Sequence, residues 1–281
     1  MFNIFGGWGD EKMSNAEKYL KRLELSNILR ESVIRTIVDT LQIPPKSKGL
    51  DAGCGTGFYT LVLAEAAGVR GHVTGLDIEE KFLAKGRSLA SKSGLTERVS
   101  FIKGDIRKLP FNENSFDWAF SMDLVGYLQI DPVLLLKELA RTVKPGGIIY
   151  ILNWSSQMLL PGYPVLEARL NATSLGIAPF DAKMKPELHS MCALEWFKQA
   201  GLSEARAQTF VSDMNPPLSQ EMRKALVDLF EMRWGEDNPE LLEEDQLEYQ
   251  RLCRDNSPDF ILNMPGYYGF FTYSLFWGRV L

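Results

Sequence analysis

From Gly49 onward, short apolar runs of strand character (KGLDAG, HVTGLD, VSFIKGD, FDWAFSM and GIIYILNW) alternate with segments of helical character. LVLAEAAG, EKFLAKGRSLASKSG and DPVLLLKELARTVKPGG are the clearest of the latter. Such alternation leaves few folds open. Strand–helix–strand crossovers are right-handed and lay successive strands parallel, with helices on both faces of the sheet. The expected fold is therefore α/β with a mostly parallel sheet. Further along, ALEWFKQAGL reads as a helix stopping at Gly201 and SEARAQTFVSD as a sixth strand. Ahead of the series, residues 15–40 carry Leu20, Leu23, Ile28, Val33, Ile34 and Ile37 at helical spacings, and Pro44-Pro45 closes the segment. A helical arm over residues 1–46 is expected to precede a main domain over 47–281.

The stretch LDAGCGTGFYT sits where the first strand turns into a helix, with Gly53, Gly55 and Gly57 at two-residue spacing. Such a turn lies at the carboxyl edge of the sheet, where ligands of open α/β sheets bind. Lacking Cβ atoms, the glycines can take unusual backbone angles and let a ligand approach main-chain N–H groups. The second strand ends in Asp77, twenty residues beyond Gly57, the place of a carboxylate that reaches ribose hydroxyls in nucleotide-binding βαβ units. Asp105 follows the third strand, where a carboxylate can accept from an exocyclic amine such as that of adenine. The bland alternatives are a tight turn with no ligand and helix N-caps. Three acids, Asp51, Asp77 and Asp105, ending three successive strands weigh against those alternatives.

Composition narrows the partners. The formal net charge is -5 and Lys and Arg form no dense cluster, so nothing provides a footprint for phosphate backbones and no nucleic-acid partner is expected. No long uninterrupted apolar run and no basic leader occur, so the expectation is a cytoplasmic protein without a membrane span. Cys54, Cys192 and Cys253 are few, odd in number and far apart, which suggests reduced thiols and no metal site. A nicotinamide-dependent dehydrogenase also has a glycine turn followed by a ribose-binding acid. Its G-x-G-x-x-G turn does not fit, because the third glycine would fall at Phe58 or at Thr60.

Over about residues 50–154 the chain resembles the class I S-adenosylmethionine-dependent methyltransferases, in a metabolite-methylating branch similar to the quinone-biosynthesis methyltransferases. The resemblance implies a Rossmann-like seven-stranded sheet whose last strand, matched by FFTYSLFWGRV, runs antiparallel. It also implies S-adenosylmethionine as cofactor and S-adenosylhomocysteine as product. Asp51, Gly53, Gly55 and Gly57 match the turn that holds the methionine part, Asp77 the acid on the ribose hydroxyls with Ile78 beside the adenine. Asp105 matches the acid on the adenine amine, with Ile106 packing nearby. Phe116-Asp117 opens the matched fourth strand, on which Ser121 would lie near the cofactor, and Lys144-Pro145-Gly146-Gly147 matches the turn before the fifth. The activity implied is in-line methyl transfer to a small-molecule acceptor. A pocket that kept the cofactor but lost catalysis, acting as a regulatory module, is the alternative.

If the acceptor must lose a proton, candidate bases are Asp123, just past the fourth strand, Tyr127 one helical turn later, and His189. The chain reads SMDL where amino-group nucleic-acid methyltransferases carry Asn/Asp-Pro-Pro-Tyr, which favours a small acceptor. Two long segments leave the carboxyl edge: about residues 155–190, and a helical insertion over about 214–266. These are expected to roof an apolar acceptor pocket, or else to make a homodimer contact. In the insertion, Met222, Leu226, Leu229, Phe230 and Met232 form a stripe read as core or interface, and the acidic run of PELLEEDQLEYQRLCRD is read as a solvated face.

Overall fold

The computed structural model describes residues 15–127, 130–178, 180 and 184–281. The start of the expected arm, residues 1–14, and residues 179 and 181–183 of the expected cover segment lie outside them, as do 128 and 129. Seven strands form one sheet: β1 (Lys48–Ala52), β2 (His72–Asp77), β3 (Val99–Lys103), β4 (Phe116–Met122), β5 (Val143–Met158), β6 (Ser203–Met214) and β7 (Gly269–Arg279). Their order is β3-β2-β1-β4-β5-β7-β6. β1 pairs in parallel with both β2 and β4, and β3 and β5 extend the parallel set. β7 runs antiparallel to its neighbours. The strand order therefore reverses at β1, so the loops leaving β1 and β4 diverge there and open a crevice.

The chain clusters into two compact units. One comprises residues 31–155, 185–210 and 273–281; the other comprises the described residues of 1–30, 156–184 and 211–272. In the first unit, α2 (Phe58–Ala66), α3 (Glu80–Lys92), α4 (Pro132–Thr142) and α7 (Ala193–Gln199) pack on the strands. Alternate strand residues share a face. Leu50, Ala52, Ala119, Ile149 and Ile151 accordingly join Leu135, Leu136 and Leu139 of α4 and Trp196 and Phe197 of α7 in one core. Asp131 caps α4, its carboxylate accepting from the Val133 N–H at 2.9 Å.

The other unit holds α5 (Pro164–Asn171), α6 (Ser174–Ile177), α8 (Gln220–Trp234) and α9 (Glu243–Cys253). Leu226, Leu229, Phe230 and Trp234 are its buried face, with Phe230 stacked on Trp234 and Tyr249 against the Trp234 edge. The α8 stripe is thus core at those positions, with Met222 and Met232 half-buried. The acidic run of α9 is not wholly a solvated face: Asp245 is buried and takes the Arg169 guanidinium at 2.9 and 3.2 Å. Buried charges need such a partner. Glu167, also buried, accepts the N–H groups of Leu159 and Leu160 at 2.7 and 2.9 Å. Removal from water pushes its carboxyl above the ordinary range despite those bonds.

One expected boundary is corrected. Lys144-Pro145-Gly146-Gly147 does not precede β5 but is an irregularity inside it, between the pairs Phe116↔Val143 and Trp118↔Ile148. The bulge is held from both sides: Lys144 Nζ meets Asp117 Oδ1 at 2.7 Å, and the Gly146 N–H donates to the Val280 carbonyl at 2.8 Å. Gly146 has a φ of 82°, so glycine suits the position.

Close packing is tightest where β1 meets β4. Gly49 lies in register with Trp118, and a Cβ there would fall 2.0 Å from the indole. The indole cannot move aside easily, because it is buried and donates to Ser47 Oγ at 2.8 Å. Gly49→Ala is expected to lower stability by ~1–3 kcal/mol, the range for overpacking a core. Chemical denaturation measures it; an unchanged unfolding midpoint would contradict the packing described.

Candidate functional site

The crevice is built first by the turn after β1. Gly53, Gly55 and Gly57 have φ of 79°, 51° and 74°, all in the left-handed region. Two of them are also fixed by their own neighbours. A Cβ on Gly53 would lie 2.3 Å from Leu124, and one on Gly57 2.5 Å from the Phe101 ring. The N–H groups of Gly53 and Cys54 both donate to the Leu76 carbonyl, at 2.8 and 2.9 Å, which ties the turn to the end of β2.

Asp77 completes that tie. One carboxylate oxygen accepts the Gly55 N–H and the other the Glu79 N–H, both at 2.9 Å. Glu79, and not Asp77, caps α3. Burial pushes the Asp77 carboxyl up, while the bonds from Glu79 and Gly55 hold it down. The two oxygens offer four lone pairs to the Glu79, Gly55 and Ile78 N–H groups, which leaves capacity for a further donor such as a hydroxyl. Beside it Ile78 is 63% exposed, a large apolar side chain at the mouth of a polar turn.

Asp51 lies deeper. It is 2% exposed and accepts the Thr60 hydroxyl at 2.6 Å. Desolvation raises its carboxyl to about 7, against the Thr60 bond and with the Asp77 charge adding to the rise. Asp105, by contrast, is near solvent, accepting the Arg107 N–H at 2.9 Å and its guanidinium through Nε. That cation holds its carboxyl below the ordinary range.

The remaining expected site residues divide. Ile106 is buried in the core with Leu109 and Ile151, and Ser121 is buried with its hydroxyl donating to the Ala52 carbonyl at 2.9 Å. His189 is exposed and caps a short turn through Nδ1, accepting from the Met191 N–H at 3.2 Å. Asp123 and Tyr127 are brought together, but not by a helix: residues 123–127 form a bend in which Asp123 has a φ of 48°. Sequence reasoning missed Thr60, nine positions from the Asp51 it bonds, and Leu124 and Tyr273, which shape this region through contacts with residues distant along the chain. No local signal marks Tyr273, which bonds to Asp123 across 150 positions.

A methyltransferase-domain family matches residues 44–201, more than half of the chain. The chain belongs to the S-adenosylmethionine-dependent methyltransferases. It is 33% identical over 176 residues to the demethylmenaquinone methyltransferase of Staphylococcus epidermidis, an overlap of 62% of this chain and 68% of that protein. The Staphylococcus aureus protein of the same name is 32% identical over 196 residues, 63% of this chain and 76% of that one. A methyltransferase solved in complex with a methyltransferase activator from Haloferax volcanii shares the fold, with a TM-score of 0.59, 19% identity, and coverage of 94% of this chain and 95% of that one. An S-adenosylmethionine-dependent methyltransferase of Aquifex aeolicus does so with a TM-score of 0.50, 21% identity, and coverage of 70% and 91%.

The methyltransferase's cofactor is S-adenosylmethionine, and the crevice fits that group. A half-open carboxylate suits a sugar diol, exposed Ile78 suits the face of a base, and the left-handed turn leaves main chain without side-chain cover.

Asp77→Ala is expected to weaken S-adenosylhomocysteine binding by ~1.5–3 kcal/mol, the range for losing bonds to a charged group, in a protein that still melts cooperatively. Unchanged affinity in calorimetry would remove Asp77 from the site. Asp51 binds its proton more tightly folded than unfolded, so its contribution to stability is complete below the ordinary carboxylate pKa and is lost as pH rises toward about 7. Asp51→Asn cannot ionise, and the ligand-free variant should lose less melting temperature over that interval than wild type does. Parallel melting curves would show that Asp51 is not the titrating group.

Proposed function

We propose that this methyltransferase acts on a small, largely apolar acceptor of the demethylmenaquinone kind, and that residues of the β1–β2 edge hold the cofactor part by part. The observation that carries the reading is the Asp77 carboxylate, half-buried, held by the Gly55 and Glu79 N–H groups, and flanked by exposed Ile78. The demethylmenaquinone methyltransferases of two staphylococci, a third identical over most of their length, support the acceptor class.

When bound, S-adenosylmethionine supplies a methyl group on a positively charged sulfur, already activated for displacement. The chain's task is then positional. Asp77 orients ribose hydroxyls, Ile78 covers one face of the base, and Asp105 accepts from its amine while keeping Arg107 as counter-ion. The rigid turn at Gly53–Gly57 keeps the amino-acid part in one place, because neither Leu124 nor Phe101 leaves it room to shift. Fixing reactants in one geometry supplies much of the rate gain in such transfers.

The acceptor assay uses purified protein, S-adenosylmethionine labelled in its methyl group, and demethylmenaquinone reduced to the quinol, whose ring carbon is nucleophilic. Label is expected in a product one methyl heavier, together with S-adenosylhomocysteine. Cofactor binding without methylated quinol would overturn the acceptor assignment; binding without turnover of any small acceptor would favour the regulatory-module reading.

A further inference from the structure

Asp123 follows β4 with a left-handed φ of 48°, which side chains rarely adopt. Hydrogen bonds from main chain and side chain hold it there. Its N–H donates to the Leu152 carbonyl at 2.9 Å, Oδ1 accepts the Trp154 N–H at 2.9 Å, and Oδ2 accepts the Tyr273 hydroxyl at 3.2 Å. The Tyr127 hydroxyl donates to the Trp154 carbonyl at 3.1 Å. Both main-chain groups of Trp154 are thus gripped by side chains of the 123–127 bend. Tyr273 is fully buried, its ring edge-on to Trp154 at 5.6 Å between centroids. Leu124, next to Asp123, is the residue that a Cβ on Gly53 would strike.

We propose, resting on the methyltransferase reading above, that Asp123 and Tyr273 are a positioning pair: together they lock the 123–127 bend against the Gly53 turn, so that β7 sets the geometry of the cofactor crevice. Asp123 serves in it as a hydrogen-bond acceptor and not as the general base. Its oxygens accept from the Trp154 N–H and the Tyr273 hydroxyl, so the geometry gives the side chain a positioning task. Asparagine in its place keeps one acceptor oxygen, whereas alanine keeps none. A base needs the carboxylate itself, so the two substitutions separate the roles.

The test uses the full chain with D123A, D123N and Y273F in two arms. In ligand-free protein, hydrogen exchange of the amides of Leu124 to Tyr127 and of Trp154 should quicken about tenfold in D123A and Y273F, as expected for losing one hydrogen bond, and less in D123N. In methyl transfer to the reduced quinol, kcat should fall about tenfold in D123A and Y273F, with KM for S-adenosylmethionine near wild type. D123N should recover most of that loss with an unchanged pH profile. D123N as slow as D123A, with the acidic limb of the profile gone, would make Asp123 the base and overturn the proposal. So would wild-type exchange in Y273F. Failure of the wild-type protein to methylate the quinol would overturn the acceptor reading instead, and the exchange arm would still decide the pair.

Discussion

Two hydrogen bonds of 2.9 Å to Asp77, from the N–H groups of Gly55 and Glu79, join the turn after β1 to the turn after β2. The candidate site depends on that joint. Bonds to a carboxylate are among the stronger ones a protein makes, and here they act where burial removes competing water. Without them the Gly55 N–H would lose its acceptor, the tie between the two turns would rest on the Leu76 carbonyl, and no carboxylate would be held at a fixed height beside the crevice. The cost is a carboxyl kept above its ordinary pKa by desolvation, offset in part by the same two bonds. A ligand offering hydroxyl donors would add to that offset.

A second constraint comes from the glycines. Gly53 and Gly57 are needed because Leu124 and Phe101 occupy the space a side chain would take. A turn so crowded has few alternative conformations. Rigidity of the crevice is thus produced from below by Asp51 and Thr60, from the β2 side by Asp77, and from the β4 side by the bend at Asp123.

How much was legible in the sequence follows from the range of each interaction. The strand–helix alternation and the glycine turn are patterns within about ten residues, each acid stands at the end of its own strand, and local geometry dictates them. The antiparallel last strand came through family resemblance. Lys144–Gly147 was misplaced because whether a proline–glycine turn precedes a strand or bulges within it depends on Asp117 and Val280. Asp123 and Tyr127 stand at helical spacing, yet the Trp154 main chain and Tyr273 bend the segment instead. The Ser121 hydroxyl serves the Ala52 carbonyl, 69 positions earlier. Asp245 looks solvated in its acidic run, and Arg169, from another helix, draws it inside. In each case the deciding partner is far away along the chain, where no periodicity points.

The measurement that tests the central claim most directly is a crystal structure of the protein with S-adenosylhomocysteine. The account predicts density along the carboxyl edge of β1 and β2, with both ribose hydroxyls in hydrogen-bond reach of Asp77, the base against Ile78 and the homocysteine over the Gly53–Gly57 turn. Ligand bound elsewhere, or a ribose that leaves Asp77 unengaged, would contradict it.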